Sequence, residues 1–134
     1  MQPLEKLKPV AQLALRWALA LIFLYHGYPK LFTHRQAAYA AFPHMGFPWY
    51  FALIAGTVEF FGGCLLVAGL FTRLVALLLA GEMSIAIWKV GLAHGVGAVG
   101  NYEFPLIMAV GAFTVLVLGA GPVSLDRALF KTKT

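Results

Sequence analysis

The stretch "FALIAGTVEFFGGCLLVAGLFTRLVALLLAGEMSIAIWKV", residues 51–90, carries only four charged side chains in forty positions: Glu59, Arg73, Glu82 and Lys89. Crossing the hydrocarbon of a bilayer takes about 20 apolar residues in helical conformation. This stretch holds two such runs on either side of Phe71-Thr72-Arg73. A link that short predicts an antiparallel pair of membrane helices, at 49–71 and 74–93.

Working outward, the same signal recurs at Leu13–Phe32 and at Glu103–Leu118, the last extendable through Ala120. The fold class expected is all-α: a single-domain transmembrane four-helix bundle spanning 1–134, with spans 13–32, 49–71, 74–93 and 103–120. No alternation of the β-barrel kind appears. The whole composition agrees. Of 134 residues 61% are hydrophobic and 11% charged, against about 25% charged in an average soluble domain. The mean hydropathy is +0.83.

The net charge of +5 would raise nucleic acid as a partner in a soluble protein. Here the basic residues cluster at segment ends, so no nucleic-acid partner is expected and orientation explains them. Lys6, Lys8, Arg73, Arg127, Lys131 and Lys133 fall on one side, with Arg16 near it, free to snorkel; Lys30 and Arg35 fall on the other. Both termini are therefore expected to be cytoplasmic. The first apolar run is too long for a signal peptide and reads as a retained helix. The single cysteine, Cys64, makes no internal disulfide and points to no zinc or iron–sulfur site.

The connections carry their own cues. Asn101 and Pro105 suit the start of the fourth helix, as N-cap and first-turn residue. Segment 33–48, rich in aromatics with His34, Arg35 and His44, suits the membrane interface. Gly121-Pro122 breaks the last span, and Ser124 suits the cap of a short amphipathic piece.

The acids inside the spans are the functional candidates. A rise of about 1.5 Å per residue puts Glu59 and Glu82 both near the midplane. Intramembrane acids mark functional sites by default; the alternative is an acid bonding across helices for packing. Gly56, Glu59 and Gly63 share one face, and small residues admit a close neighbour, so Glu59 is expected to face another helix and not lipid. His26 and Lys30 are one turn apart in the outer half of helix one. Glu82 and Lys89, seven apart, share a face of helix three, and Arg16 or Lys89 could pair with Glu82. Glu103 opens helix four, where the helix dipole alone also explains an acid.

These groups suit a quinone or similar amphiphile, which needs an apolar slot, hydrogen-bond donors at its carbonyls and proton carriers. In that reading Glu59, His26, Lys30 and Glu103 are the catalytic candidates, with donation from His26 and Lys30 and proton transfer by Glu59 and Glu103. His26, Lys30, Glu82 and Lys89 are the cofactor-binding candidates. No metal site is expected. Haem held by His26 and His94 lacks an attachment motif and is disfavoured. Without a flavin or nicotinamide motif, electrons would come from a partner.

The motifs "FLYHGYPKLF" (23–32), "VEFFGGCLLVAGLFTR" (58–73), "NYEFPLI" (101–107) and "GAGPVSLDR" (119–127) resemble the DoxX family of small bacterial and archaeal membrane proteins, in order and over nearly the full chain. The positions that match its pattern are His26, Gly27 and Lys30; Glu59, Gly62, Gly63, Gly69, Thr72 and Arg73; then Glu103, Gly121, Ser124 and Asp126. The resemblance implies residence in the cytoplasmic (inner) membrane. It also implies a link to thiosulfate:quinone oxidoreductase, to oxidoreductase complexes in oxidative-stress defence and to quinone detoxification.

The leading expectation is thus a quinone-binding, redox-linked membrane subunit in contact with the lipid bilayer and with a redox or peptide-modifying partner protein. Two alternatives stand beside it. One is a non-catalytic membrane partner, assembly factor or anchor. The other is a small proton or solute transporter, which with four short helices would need a homo-oligomer.

Overall fold

The computed structural model describes residues 2–130, most of which are helical, with no strand among them. After one turn at Gln2–Glu5, α1 runs Lys8–Tyr28 and continues as a π-helix over Pro29–Thr33. Pro29 has no N–H for the α ladder, and the chain passes it by widening its register. Next come α2 (Arg35–His44), α3 (Tyr50–Ala68), and α4 (Thr72–Ala86), extended by a π-helix over Ile87–Gly91. A 3₁₀ turn at Val99–Asn101 leads into α5 (Glu103–Leu118), and α6 (Leu125–Phe130) closes the described chain.

Three of these are long and apolar enough to cross a membrane: Lys8–Thr33, Tyr50–Ala68 and Thr72–Gly91. The fourth, α5, has 16 residues and stretches about 24 Å at 1.5 Å per residue, short of a hydrocarbon core of about 30 Å. Large apolar side chains such as Leu21, Ile54, Leu77, Ile107 and Phe113 point outward. That suits lipid and would be untenable over so much of a water-facing surface.

The four long helices pass up and down in sequence. α1 packs most extensively on α3, and α4 on α5; α3–α4 and α1–α5 contacts close the bundle. Leu19, Phe23, Leu66, Leu79, Met108 and Val115 form the middle of the core. The α1–α3 seam depends on glycine. A Cβ on Gly27 would lie 2.6 Å from the Phe60 backbone nitrogen, and one on Gly63 would lie 2.7 Å from Leu24 Cγ. With little hydrophobic drive between helices in lipid, such close backbone approach supplies the packing.

Several helix ends differ from the sequence expectation. α3 stops at Ala68, not Phe71, because Gly69 takes a left-handed conformation (φ 69°) and caps it. α5 stops at Leu118, not Ala120, where Gly119 has φ 81°. Asn101 does not cap α5; it ends the 3₁₀ turn, and Tyr102 holds the cap position without a side-chain bond. Pro105 does lie in the first turn. Segment 33–48 folds largely into α2. Ser124 caps α6 as expected: its Oγ accepts from the Arg127 N–H at 3.2 Å and donates to the Gly121 carbonyl at 2.8 Å.

One end of the bundle is locked by polar side chains that the sequence left ambiguous. Arg16 does not snorkel: it is 2% exposed. Its Nε donates to the Leu66 carbonyl at 2.8 Å, Nη1 to Ala120 at 2.6 Å and Nη2 to Val123 at 2.8 Å. One guanidinium thereby bonds a carbonyl in the last turn of α3, which also accepts the Gly69 N–H at 3.3 Å, and two in the segment after α5. From α6, the Asp126 carboxylate accepts the Phe71 N–H at 2.7 Å and the Thr72 N–H at 2.9 Å, capping α4. The start of α1, the end of α3, the start of α4 and the end of α5 therefore meet at one end of the molecule. Lys6, Lys8, Arg73 and Arg127 lie at or near that end; Lys131 and Lys133 fall outside the described residues.

Candidate functional site

Glu59 is the tenth residue of the nineteen in α3, half-way along it, and 3% exposed. It projects from the face that carries Gly56 and Gly63, and that face turns onto α1. There Lys30, in the π-helical extension of α1, donates from Nζ to Glu59 Oε1 at 2.7 Å. The same ammonium lies 3.4 Å from the His26 carbonyl. An isolated charge in an apolar interior is costly; a paired and hydrogen-bonded one is tolerated. Gly56 makes the pairing sterically feasible, since a Cβ there would come within 2.8 Å of Lys30 Cβ.

Glu82 joins this pair from α4. It borders the same cavity as Glu59 and Lys30. Its Oε2 is buried and has no hydrogen-bond partner among the described residues. The cluster therefore holds one cation and two carboxyl groups, from three different helices, near the middle of the bundle.

Two cavities meet at the ion pair. The larger, about 560 Å³, lies between α3 and α4 and beneath the end of α2. Phe42, Met45, Phe47, Phe51, Leu77 and Val90 are among its walls, and Lys30, Glu59 and Glu82 are its polar residues. The smaller, about 260 Å³, lies on the α1–α5 side, against Ile22, His26, Phe104 and Met108. Lys30, Glu59, Met83 and Ala86 border both. Apolar walls of this extent with a few converging polar groups are the usual make-up of a small-molecule site, and the larger volume is in the range of such sites.

The structure thus brings together Lys30, Glu59 and Glu82, with His26 at the edge of the smaller cavity. The His26 ring packs against Phe104 at 5.2 Å and Tyr25 at 5.5 Å between centroids. It does not bring in Lys89 or Glu103. Lys89 is exposed and sits 4.7 Å over the Trp88 ring. Its seven-residue spacing from Glu82 predicted a shared face, but the π register of Ile87–Gly91 changes the turn per residue between them. Arg16 is committed to the opposite polar lock and is no partner for Glu82. Glu103 is exposed in the first turn of α5, where the macrodipole favours an acid. His94 lies in the turn after the π segment, away from the cavity walls. Among the described residues, no three His, Cys, Asp or Glu side chains converge as metal ligands would.

The aromatic roof from α2 and its following turn went unread in the sequence, although Phe42, Met45 and Phe47 form a local apolar cluster there. So did the carbonyl-binding role of Arg16. A lone arginine inside an apolar run was the available signal for that.

A helical membrane bundle with a buried lysine–carboxylate pair open to two apolar cavities defines the class. The chain belongs to the DoxX family, whose model matches residues 11–95. It is 34% identical to an uncharacterized protein of Haemophilus influenzae, covering 98% of this chain and 99% of that one. It is 31% identical to a Bacillus subtilis protein named "Putative oxidoreductase CatD", covering 92% and 90%. It is also 31% identical to the uncharacterized membrane protein Rv3486 of Mycobacterium tuberculosis, covering 94% and 85%. No solved structure gives a significant match.

Proposed function

We propose that this protein is a redox-linked membrane subunit that binds a quinone or similar amphiphile in the cavity between α3 and α4. The observation that carries the reading is the placement of Lys30, Glu59 and Glu82 as the polar groups of a cavity of about 560 Å³ with otherwise apolar walls. An amphiphile with a carbonyl-bearing ring would set its ring against the Lys30 ammonium and the carboxyl pair. Its tail would follow the apolar walls toward lipid. The name of the Bacillus subtilis relative supports an oxidoreductase setting. Electrons reach this chain from a partner protein in this reading. The locked end that carries Lys6, Lys8, Arg73 and Arg127 faces the cytoplasm, following the positive-inside rule.

The test is binding of a short-chain ubiquinone to the purified protein in nanodiscs. Wild-type protein is expected to gain thermal stability as quinone is titrated, by mass action. Glu59→Gln is expected to lower that gain. Absence of any quinone-dependent shift, together with a quinone-free lipid extract of the purified protein, would defeat the reading.

A further inference from the structure

The larger cavity has a closed end, a roof and an open side. Along α3 its wall runs from Phe51 to Glu59 and stops there. From Glu59 to Gly69 the helix continues for about 15 Å at 1.5 Å per residue. Over that length Gly62 packs on Val75 and Leu79, Gly63 on Leu24, and Leu66 joins the core. Beyond it lies the Arg16 lock. The roof is aromatic. Phe42 in the last turn of α2, Phe47 after it and Phe51 in the first turn of α3 follow one another at centroid separations of 6.1 and 5.7 Å. The open side lies between α3 and α4, which touch far less than α1 and α3 or α4 and α5. Ile54 on α3 and Leu77, Gly81 and Ile85 on α4 both line the cavity and stand exposed on the outside of the bundle. Gly81 marks the gap, since a Cβ there would meet no atom within 4 Å. All four are apolar and belong to spans long enough to cross a membrane, so the gap faces lipid.

We infer that the larger cavity is loaded sideways from the bilayer, through the gap between α3 and α4 at Ile54, Leu77, Gly81 and Ile85, and that its ligand is an amphiphile with an uncharged head. The ligand class deepens the amphiphile reading given above and rests on it; the route does not. The head group follows from depth. Glu59 lies half-way along α3, and the Lys30 side chain keeps 22% exposure against 4% for Glu59, so the lysine is the member of the pair that a ligand can reach. A head that meets it leaves the interface and enters an apolar cavity at mid-depth. A phospholipid head would bring charges there without partners, at a high desolvation cost. A neutral ring with acceptor oxygens enters far more readily. The site therefore selects single-ring amphiphiles that dissolve in the hydrocarbon over phospholipids and over water-soluble solutes, and product leaves by the same gap.

The route is tested without a ligand. In full-length Cys64→Ser protein in nanodiscs, a nitroxide is attached at Ala55→Cys, inside the cavity, and in a second sample at Phe113→Cys, on the exposed face of α5. Relaxation by oxygen, which concentrates in lipid, should be comparable at the two positions, and relaxation by a water-soluble nickel chelate should be low at both. Strong nickel relaxation at position 55 overturns the route, because the cavity then opens to water. Weak relaxation by both agents there overturns it too, because the cavity is then closed to lipid. Binding kinetics of short-chain ubiquinone supply the second arm. Gly81→Phe puts a ring in the gap without a clash. It should slow association and dissociation alike, each at least about tenfold, and leave Kd within about threefold of wild type. Phe47→Ala, which thins the roof, should leave both rates near wild type. Unchanged rates in Gly81→Phe, or faster association in Phe47→Ala, overturn entry through the gap. If wild type binds no quinone, the amphiphile reading and the ligand class fall together, while the nitroxide data still decide the route.

Discussion

Lys30 reaches Glu59 at 2.7 Å from a π-helical turn, across a seam where Gly27 and Gly56 let α1 and α3 approach closely. The pairing is therefore a product of backbone packing as much as of charge. Widened helical turns often mark functional positions, and here the turn carries the cation of the cavity cluster.

The pair should be strongly asymmetric in mutational cost. Lys30→Met strands a carboxylate that is 3% exposed and is expected to destabilise the protein by about 3 kcal/mol, the scale for breaking a buried pair. The double variant Lys30→Met with Glu59→Leu should recover most of that loss, because no charge of the pair is left buried. Denaturation midpoints of the four proteins of the cycle measure it; a double variant as unstable as Lys30→Met would contradict a cost set by the stranded charge.

Glycine substitutions along the bundle should divide by location. Gly27→Ala places a Cβ 2.6 Å from the Phe60 nitrogen, a backbone atom with little room to move. It is expected to separate α1 from α3, lower the melting temperature and weaken quinone binding through the displaced Lys30. Gly81, on α4, has open space where a Cβ would stand, with no neighbouring atom within 4 Å. Gly81→Ala should leave stability unchanged or raise it by up to about 1 kcal/mol, from helix propensity. Melting curves of the two variants, compared side by side, check this.

The polar lock should affect stability and spare the site. Asp126→Ala removes both acceptors for the Phe71 and Thr72 N–H groups and should cost about 1–2 kcal/mol, as loss of an N-cap does. Arg16→Met removes the side-chain donor of three carbonyls, of which Leu66 keeps the Gly69 N–H, and should cost more, at about 1–3 kcal/mol for each of the other two that water cannot reach. Quinone affinity of Asp126→Ala, measured well below its melting temperature, should match wild type. A large loss of affinity would place the lock in communication with the cavity.

Filling the cavity should block the ligand without touching a charge. Ala55 lines the larger cavity on α3 and does not border the smaller one. Ala55→Phe is expected to weaken short-chain ubiquinone binding at least about tenfold, since a ligand cannot share its volume with a new ring. Retained helicity by circular dichroism would show that the loss is steric.

Much of this was legible from residue order. An apolar run of 20 residues has one favourable outcome in a bilayer, since only a helix satisfies its own backbone. The spans, the tight α3–α4 link and the inward face of Glu59 follow from that together with the Gly56–Glu59–Gly63 spacing. The motifs also carried the family. Other features depended on contacts between distant segments. Lys30 and Glu59 are 29 positions apart, and Arg16 lies 104 and 107 positions from two of its three acceptors. Helical periodicity says which face a residue occupies and nothing about what meets that face.

The sequence by itself determined that this chain is a bundle of membrane helices with acids at mid-depth, because hydropathy and length are local properties that lipid reads directly. The tertiary structure alone decided which of those polar residues lie together. It joined Glu59 to Lys30, set Glu82 in the wall of the same cavity and left Glu103 and Lys89 outside. It also turned Arg16 from a snorkelling side chain into a lock. The reason is physical: in an apolar medium a charge must find a partner, and only the packing of helices at glycine seams and widened turns decides which partner lies within reach.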